Sequence, residues 1–480
     1  MRDHIFRKGD IRGIVGQDLL ISEVYAFGKA LAFYFMHKLS NGQALDVPNK
    51  TIVVGMDGRV HSPAIKDELV RALIDSGFNV QLIGFCPTPV VYYALHTLPV
   101  DAGIMITASH NEKEYNGFKI CCGKELLNEH ELCALKELYK QKKFYTADRQ
   151  GVVTHSSVQS DYCSWLVKEF THLQKNTISA VIDCVGGAAT ALMPALVQQM
   201  EWPNVTLINR EVDGTFSHAC PDPTKKGALD SLAAQVVQQH AALGLPCTGF
   251  AFDGDADRLA AMTHEGVPIV SGDLLLALFS EALLQKHPGA TIVFDSKCSQ
   301  VVSTLIEQWG GCGVMSATGH TFVKQKMAES GALLAGELSC HFMFKDRYFG
   351  SDDALYALLR FMEILTQTGS TLKALLERFP KNYTTGEVRI PCAEEQKEDI
   401  VETVKAYFAS RPDVVIMTMD GVRATAPYGW GIVRASNTQP VISFSCEAMT
   451  PEGFERIKND FNQALDQAYK KQALSETGVA

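Results

Sequence analysis

The N-terminal part of the chain alternates short apolar runs with amphipathic stretches whose apolar residues recur at helical spacing. This pattern predicts strand 51–57, helix 62–77, strand 79–84, helix 88–98 and strand 102–109. Ser62 followed by Pro63 predicts a helix N-cap with proline at the first helical position, and Gly77 predicts the end of that helix. Strands and helices that alternate in this way are typical of α/β domains.

A similar rhythm returns twice further along the chain, at 178–253 and at 271–370. In each of the three stretches an aspartate stands near the C-terminal end of a predicted strand, namely Asp57, Asp183 and Asp295. Beyond this the pattern changes to several strands, a helix at 394–409 and a last helix from Pro451, which indicates a separate α+β unit. The sequence therefore predicts three successive α/β units, whose ligands should gather at the carboxyl ends of the strands.

Length and charge limit the classes of function. A chain of 480 residues exceeds what one hydrophobic core usually supports, so several domains are expected. The formal net charge of −10, without a cluster of lysine and arginine, predicts that the chain does not bind nucleic acid. There is no run of about 18 apolar residues to span a bilayer, and the start lacks the apolar core of a secretion signal. We therefore expect a cytoplasmic protein with no membrane partner.

The cysteines, 13 in number, are scattered without any C-x-x-C pair. Many of them stand inside apolar segments, as Cys184, Cys247 and Cys446 do. This distribution predicts buried, reduced thiols rather than disulfides or a zinc site.

Ser109 follows the apolar run GIMIT and is predicted to lie on the loop after a strand. A serine hydroxyl is a poor nucleophile unless a base, a metal ion or an earlier modification activates it. Taken alone, the residue fits a local turn hydrogen bond better than a catalytic role. Because the chain has no G-x-S-x-G motif, a hydrolase triad has little support.

The segment FAFDGDADR places Asp253, Asp255 and Asp257 on a loop that ends with Arg258. Alternating carboxylates offer hard oxygen ligands to Mg²⁺ or Ca²⁺. An EF-hand is excluded, because this chain has Arg258 and His264 where that loop needs glycine and glutamate. A solvated acidic turn is the alternative, but carboxylates this close would repel one another without a cation. The pattern favours a metal site.

The segment GELSCH also follows an apolar strand and offers Glu337, Ser339 and His341 together. A carboxylate and a hydroxyl in such a position can bind the vicinal hydroxyls of a sugar by directional hydrogen bonds. Alone this signal is weak, since a glutamate on a loop is usually just solvated.

The segment VRASNTQP stands between two predicted strands of the last unit. Arg434 supplies a forked guanidinium, and short donors follow it at Ser436, Asn437 and Thr438. A phosphate can accept hydrogen bonds from all of these groups and from backbone N–H groups. A turn that ends at Pro440 is the alternative, and it explains the asparagine and proline but not the arginine.

These four motifs, preceded by FRKGDIRG near the start, closely resemble the α-D-phosphohexomutase superfamily, particularly its bacterial phosphomannomutase/phosphoglucomutase branch. The resemblance runs over nearly the whole chain. It implies an α/β protein with three similar α/β domains of mixed sheets and a C-terminal α+β domain around a central cleft. The expected domains are 1–150 with the phosphoserine loop, 151–256 with the metal-binding loop, 257–370 with the sugar-binding loop and 371–480 with the phosphate-binding loop.

The resemblance also implies roles for single residues. Ser109 would carry a phosphoryl group, and the metal ligands for Mg²⁺ would be Ser109, Asp253, Asp255 and Asp257. The expected catalytic residues are Ser109, His110, Lys119, His341, Arg12 and Arg258, of which Lys119 and His341 are the candidates for acid and base work. The expected substrate-binding residues are Lys297, His320, Glu337, Ser339, Arg434, Ser436, Asn437 and Thr438.

The function implied is that of a mutase that interconverts hexose 6-phosphate and hexose 1-phosphate, with mannose and glucose phosphates favoured. Hexose 1,6-bisphosphate would be the intermediate and activator. The partners would be small hexose phosphates, and a monomer is favoured. Two alternatives remain open: a sugar-phosphate phosphatase that uses the same serine, and a sugar-phosphate binding protein without turnover.

The chain departs from the family pattern at two positions. Gly9 stands where many relatives have an aromatic residue, which removes a possible contact with the sugar. Cys340 replaces the glycine that is usual in G-E-x-S-G-H. If the backbone there requires positive φ, a cysteine costs about 1 kcal/mol or more.

Overall fold

The structure is a computed structural model that describes residues 1–40, 49–265, 270–435 and 441–476. Its contacts divide the chain into two compact units, each built from two segments. The first unit contains Met1–Leu283 and Leu333–Ala374, and the second contains Leu284–Ala332 and Leu375–Ala480. The boundaries of the four expected domains stay a prediction.

A mixed sheet forms the N-terminal part of the first unit. Its strands are β1 (Ile11–Ile14), β2 (Thr51–Met56), β3 (Asn79–Phe85), β4 (Ala102–Ile106), β5 (Tyr115–Cys122), β6 (Glu125–Leu126) and β7 (Val153–His155), in the order β1-β5-β4-β2-β3-β7 with β6 beside β5. Its helices are α1 (Ile21–Ser40), α2 (Ser62–Asp75), α3 (Thr88–Thr97) and α4 (Glu129–Lys140). Strand β2 pairs in parallel with β3 and β4, whereas β5 is antiparallel to β4 and β1. The predicted β-α-β-α-β series is confirmed from β2 to β4.

The start of α2 corrects one prediction. The N-cap residue is His61, and Ser62 is already the first helical residue. The Ser62 hydroxyl donates a 2.6 Å hydrogen bond to Asp57 instead of capping the helix. Pro63 fits the first turn because no N–H is needed there, and Gly77, with a φ of 83°, follows the end of the helix. Ser62 therefore ties α2 to the carboxyl end of β2.

A second sheet of the first unit has the strand order β11-β10-β8-β9. Its strands are β8 (Ser179–Asp183), β9 (Val205–Ile208), β10 (Cys247–Phe252) and β11 (Leu259–Thr263), and the helices α5 (Val158–Glu169), α6 (Met193–Met200) and α7 (Asp230–Leu243) accompany them in the chain. Helix α8 (Gly272–Leu284) follows β11 in the chain. Every residue of β10 is buried, which suits a central strand that pairs in parallel with β8 and antiparallel with β11. The aspartate-rich segment joins β10 to β11.

The third expected repeat is divided between the two units. The elements β12 (Thr291–Asp295), α9 (Gln300–Gln308), β13 (Cys312–Ser316) and α10 (His320–Ser330) belong to the second unit, in which β12 and β13 are parallel. The elements β14 (Leu334–Gly336), β15 (Phe342–Phe344) and α11 (Ala354–Thr368) belong to the first unit, in which β14 and β15 are antiparallel. A short helix, α12 (Leu372–Leu376), follows.

The C-terminal part of the second unit is the predicted α+β structure. Its elements are β16 (Tyr383–Thr384), β17 (Val388–Pro391), α13 (Lys397–Ala409), β18 (Val415–Met417), β19 (Val422–Ala426), β20 (Gly429–Ala435), β21 (Val441–Ala448) and α14 (Pro451–Glu476). The antiparallel order is β16-β21-β20-β19-β18, and β17 also pairs with β21. Helices α13 and α14 bury their apolar residues in one core with this sheet. Short 3₁₀ helices elsewhere in the chain lie at Asp3–Ile5, Thr171–Leu173, Ala188–Ala191 and Glu394–Gln396.

The three predicted strand-end aspartates are buried at the ends of their strands. Asp57 follows β2, and Asp183 and Asp295 are the last residues of β8 and β12. Each accepts hydrogen bonds from the loop that follows it, for example from the N–H of Val185 to Asp183 at 2.8 Å. These carboxylates therefore fix the loops at the carboxyl ends of the strands. Among the described helices, none combines the length and the hydropathy that crossing a membrane requires.

The loop between β14 and β15 has the backbone conformation that makes Cys340 costly. Cys340 has a φ of 71°, in the left-handed region that glycine adopts without strain, and its side chain is buried. The backbone at position 340 therefore does require positive φ, so the cysteine that replaces the usual glycine is strained.

We expect Cys340→Gly to be more stable than Cys340→Ala. Both variants lose the thiol, but only the alanine keeps a Cβ atom in the left-handed region, so the difference isolates the backbone strain. The free energy of unfolding of the glycine variant should be higher by about 1 kcal/mol. Urea denaturation of the two variants measures this difference, and an alanine variant of equal stability would show that the backbone is not strained.

Candidate active site

Ser109 lies on the loop between β4 and β5. Its hydroxyl donates a 2.8 Å hydrogen bond to Oδ2 of Asp253 and lies 3.0 Å from Nδ1 of His110. Its backbone N–H donates to the hydroxyl of Thr107 at 2.9 Å. The side chain is buried, and the φ of 49° is in the left-handed region. The hydroxyl is thus held against a carboxylate of a loop that is distant in sequence.

Arg59, which the sequence did not single out, holds the Ser109 loop in place. Its guanidinium donates hydrogen bonds of 2.6 to 3.1 Å to the backbone carbonyls of Ser109, Asn111, Glu112 and Tyr115. Its Nε lies 3.1 Å from Asp57, and the side chain is fully buried. The sequence feature that could have indicated Arg59 is its position two residues after the strand-end aspartate Asp57. That position lies at the edge of the sheet where Ser109 also lies.

The loop between β10 and β11 brings Asp253, Asp255 and Asp257 together, with ligand oxygens that lie within 4.8 Å of one another. All three side chains are fully buried. Oδ1 of Asp253 accepts hydrogen bonds from the N–H groups of Asp257 and Arg258, at 3.1 and 3.2 Å, which curl the loop around it. Burial and the charges of Asp257 and Asp255 raise the pKa of Asp253 well above its usual value.

This cluster fits a divalent cation. Oδ1 of Asp255 is buried and has no hydrogen-bond partner among the described residues. Its other oxygen, Oδ2, accepts a 2.6 Å hydrogen bond from the hydroxyl of Thr88. A buried carboxylate oxygen without a partner is costly, and a hard cation such as Mg²⁺ would satisfy it.

Lys119, on β5, supplies positive charge to the same cluster. Its ammonium group forms an ion pair with Asp257 and lies 3.1 Å from Oδ2 of Asp255. Burial lowers the pKa of Lys119, but the charges of Asp255 and Asp257 raise it by more than burial lowers it. The net shift of the pKa is therefore upward. The lysine is therefore charged at neutral pH.

His341 joins the loop between β14 and β15 to the aspartate cluster. Its Nε2 lies 3.1 Å from Asp257, and its Nδ1 lies 2.8 Å from Glu337. Burial lowers the pKa of His341, but Asp257 and Glu337 more than compensate and raise it to about 9. The hydroxyl of Ser339 is 3.3 Å from Nδ1. Nε of Arg258 lies 3.4 Å from Nε2 of His341, so the segment GELSCH contacts the loop of the three aspartates directly.

Arg12 and His110 flank the serine. Arg12, on β1, donates a 2.6 Å hydrogen bond to Asp10 and a 2.8 Å hydrogen bond to the side chain of Asn111. Burial and the positive charges of Arg258 and Arg12 lower the pKa of His110 well below its usual value. The imidazole of His110 is therefore neutral beside the serine hydroxyl.

The remaining predicted residues lie in the second unit. Arg434, on β20, has its Nε 2.8 Å from Oδ2 of Asp420. Lys297 follows β12, and His320 is the first residue of α10. Ser436, Asn437 and Thr438 lie outside the described residues.

The first unit thus brings one group of predicted residues to a single place around Ser109. This group consists of Arg12, Ser109, His110, Lys119, Asp253, Asp255, Asp257, Arg258, Glu337, Ser339 and His341. It joins a hydroxyl, a cluster of carboxylates able to hold a cation, and protonated groups within hydrogen-bond distance of that cluster. Such an arrangement suits transfer of a phosphoryl group, which depends on positioning and on positive charge.

Comparison with known proteins agrees with this geometry. Sequence models of the phosphoglucomutase/phosphomannomutase family match as alpha/beta/alpha domain I at 3–146, domain II at 160–266, domain III at 271–383 and the C-terminal domain at 387–464. A phosphomannomutase/phosphoglucomutase of Pseudomonas syringae pv. tomato is 39% identical over 96% of this chain and 95% of its own length. A phosphoglucomutase of Neisseria gonorrhoeae is 36% identical over 96% of both chains.

Solved structures agree as well. The crystal structure of a phosphoglucomutase/phosphomannomutase family protein from Burkholderia thailandensis is 31% identical and superimposes with a TM-score of 0.87 over 98% of both chains. The fold, the order of the motifs and the relatives lead to one conclusion. The chain belongs to the phosphoglucomutase/phosphomannomutase family of α-D-phosphohexomutases, as its motifs indicated.

Proposed function

We propose that this enzyme interconverts hexose 6-phosphates and hexose 1-phosphates through a phosphoserine at Ser109 and a hexose 1,6-bisphosphate. The observation that carries the proposal is the 2.8 Å hydrogen bond between the Ser109 hydroxyl and Asp253, a member of the buried carboxylate cluster. Relatives named phosphomannomutase/phosphoglucomutase support mannose and glucose phosphates as the substrates. A cytoplasmic location and a monomeric state remain expectations.

The reaction consists of two phosphoryl transfers in opposite directions. In the first, the bond between phosphorus and Oγ of Ser109 breaks, its electron pair stays on Oγ, and a sugar hydroxyl oxygen bonds to phosphorus. The sugar hydroxyl releases a proton and Oγ takes one up, which leaves a free serine and a hexose 1,6-bisphosphate. The bisphosphate turns end for end. The second transfer then returns the other phosphoryl group to Ser109, so the phosphoserine is regenerated.

Ser109 and the three aspartates of the β10–β11 loop would hold Mg²⁺, through phosphoserine and carboxylate oxygens. The cation, when bound, neutralises negative charge on the phosphoryl group. Arg12, Arg258 and Lys119 add fixed positive charge to the same place. Because these groups are buried and paired, they need little rearrangement when the transferring group becomes more negative.

Lys119 and His341 are the candidates for proton transfer. With a pKa of about 9, His341 holds its proton at neutral pH, and Lys119 does so as well. Both are therefore set to act as general acids in one transfer and, after release of the proton, as bases in the reverse transfer. His110 remains neutral and keeps the Ser109 oxygen oriented by its 3.0 Å contact.

The rest of the predicted set would bind the substrate. Glu337 and Ser339 are proposed to bind sugar hydroxyls. The phosphate that is not being transferred would be held by Arg434 with Ser436, Asn437 and Thr438, aided by Lys297 and His320. Mannose and glucose differ only at C2, so groups that bind the 3- and 4-hydroxyls accept both sugars.

The proposal is tested first on the wild-type enzyme and on Ser109→Ala. We expect the wild-type enzyme to convert mannose 1-phosphate and glucose 1-phosphate to the 6-phosphates with little release of free phosphate, because sugar and not water accepts the phosphoryl group. Ser109→Ala should lose at least about a thousandfold in kcat, since among the described residues no other hydroxyl donates a hydrogen bond to Asp253. Coupled assays of both products and a phosphate assay measure these rates.

The matched control is Ser160→Ala, on the exposed face of α5, which should keep wild-type kcat. Free phosphate formed as fast as the 6-phosphate would favour the phosphatase alternative. An active Ser109→Ala variant, supplied with hexose 1,6-bisphosphate, would show that Ser109 is not the phosphoryl carrier.

Asp255→Asn should raise the Mg²⁺ concentration needed for half-maximal activity by about tenfold or more. The substitution keeps the shape of the side chain but removes one charge from the cation site. Activity is measured against Mg²⁺ concentration after treatment with a chelator, with Asp67→Asn, an exposed aspartate on α2, as the control. Wild-type activity in excess chelator would contradict a metal requirement.

Arg59→Lys should lower kcat by about a hundredfold and leave KM almost unchanged. A lysine keeps the charge but cannot donate to all the carbonyls that the Arg59 fork reaches, so the phosphoserine loop shifts. The Michaelis parameters and the circular dichroism spectrum are compared with those of Arg71→Lys, on the exposed side of α2. A folded Arg59→Lys variant with wild-type kcat would exclude this role.

A further inference from the structure

Asp420 contacts two loops and one strand of the second unit with one carboxylate oxygen. It lies in the turn between β18 and β19. Its Oδ2 accepts a 3.2 Å hydrogen bond from the backbone N–H of Thr318 and a 3.1 Å hydrogen bond from the hydroxyl of Ser296, and it lies 2.8 Å from Nε of Arg434. The hydroxyls of Ser296 and Thr318 are 3.1 Å apart, which closes the network.

Each of these loops carries one of the residues proposed above to bind hexose phosphate. Ser296 directly precedes Lys297, and Thr318 stands two residues before His320. We propose that Asp420 is a positioning residue, which sets Arg434 and the loops of Lys297 and His320 for the phosphate that is not being transferred. This inference rests on the proposed function, because it concerns the binding of the same substrate.

The geometry at Arg434 explains how a carboxylate can help an anion to bind. Nε of Arg434 lies 2.8 Å from Asp420 in an ion pair without donating a hydrogen bond there, and neither Nη group donates to a described residue, so both Nη groups can serve a phosphate in the paired arrangement that suits its oxygens. Burial raises the pKa of Asp420, but Arg434 and the hydrogen bonds with Thr318 lower it by more than burial raises it. The net shift of the pKa is therefore downward. Asp420 is therefore charged at neutral pH. The negative charge of Asp420 by itself opposes phosphate binding. Any gain in affinity for the substrate must therefore come from the way Asp420 positions Arg434 and the two loops.

The close approach of the Asp420 turn to β20 requires glycine at position 421. Gly421 has a φ of 75°, and a Cβ atom there would lie 2.9 Å from Cα of Arg434 and would also collide with the carbonyl oxygen of Val433. The glycine therefore brings the turn with Asp420 against β20.

The loop of Lys297 also has a second anchor. Arg423 donates hydrogen bonds to the carbonyls of Ser296 and Cys298, and its guanidinium lies 3.5 Å from the centre of the Trp430 ring. Because this anchor does not involve Asp420, we expect the unit to stay folded when Asp420 is changed.

Asp420→Asn separates position from charge, because the two effects have opposite signs. Asparagine keeps the size and one acceptor oxygen but loses the negative charge. If Asp420 acted only through its charge, the variant would bind hexose phosphate more tightly. A positioning role predicts that KM for glucose 1-phosphate rises by about tenfold while kcat changes by less than about twofold. The Kd for glucose 1-phosphate, from titration calorimetry, should rise by the same factor.

Two further variants complete the experiment. Asp413→Asn, with its side chain 42% exposed, is the matched control and should keep the wild-type KM. Ser296→Ala retains the charge of Asp420 and removes one hydrogen bond to it, and should raise KM by about threefold. Circular dichroism checks the fold of each variant. If Asp420→Asn did not fold, the result for Ser296→Ala would decide.

A KM and Kd that stay unchanged or fall in Asp420→Asn and in Ser296→Ala would overturn the inference. The outcome is distinguishable from failure of the proposed function. A wild-type enzyme that binds glucose 1-phosphate without converting it would refute the mutase proposal, while the Kd values of the variants would still decide the role of Asp420.

Discussion

The active site depends on the burial of like charges on one short loop. Asp253, Asp255 and Asp257 are fully buried, with ligand oxygens within 4.8 Å of one another. Removing a carboxylate from water costs several kcal/mol, roughly, unless cations and hydrogen bonds compensate. Like charges at this distance also repel one another in a medium of low dielectric constant. The loop cannot hold this conformation by itself, and positive charge must reach it from other parts of the first unit.

The fold delivers that charge from separate segments. Lys119 comes from β5 and His341 from the loop between β14 and β15, and they add to the charge that Arg258 supplies from within the aspartate loop. Removing one member leaves a buried charge without its partner, which is far more costly than losing an exposed ion pair. The three segments are therefore energetically coupled. The same coupling prepares the site for phosphate chemistry, since the cations that stabilise the folded loop already stand where a phosphoryl group would bring more negative charge.

The sequence predicted the parts of the site that depend on local pattern. Strand and helix periods are local properties, so the loops after β4, β10 and β14 could be located, and with them Ser109 and the aspartates. Arg59 and Asp420 escaped prediction because they bind backbone groups and side chains that only the tertiary fold brings near. Ser62 was misassigned because a serine before proline fits an N-cap and a first helical residue equally well. In the structure the Ser62 hydroxyl donates a hydrogen bond to Asp57, whereas the oxygen of an N-cap serine would accept one from a backbone N–H of the helix.

Backbone strain is present at all three of the loops after β4, β10 and β14, and six further described residues other than glycine also have positive φ elsewhere in the chain. Each of the three loops contains a residue other than glycine with positive φ: Ser109 at 49°, Ala256 at 59° and Cys340 at 71°. Such residues cost about 1 to 3 kcal/mol each and persist only where the surroundings fix them. Here the surroundings are the ion pairs of the aspartate cluster and the hydrogen bonds from Arg59 to the Ser109 loop. The strained backbone conformations of these loops place their charged side chains close together. The attraction between those side chains in turn maintains the strained conformations. A site built in this way is rigid before substrate arrives, which is what transfer of a phosphoryl group between two fixed oxygens requires.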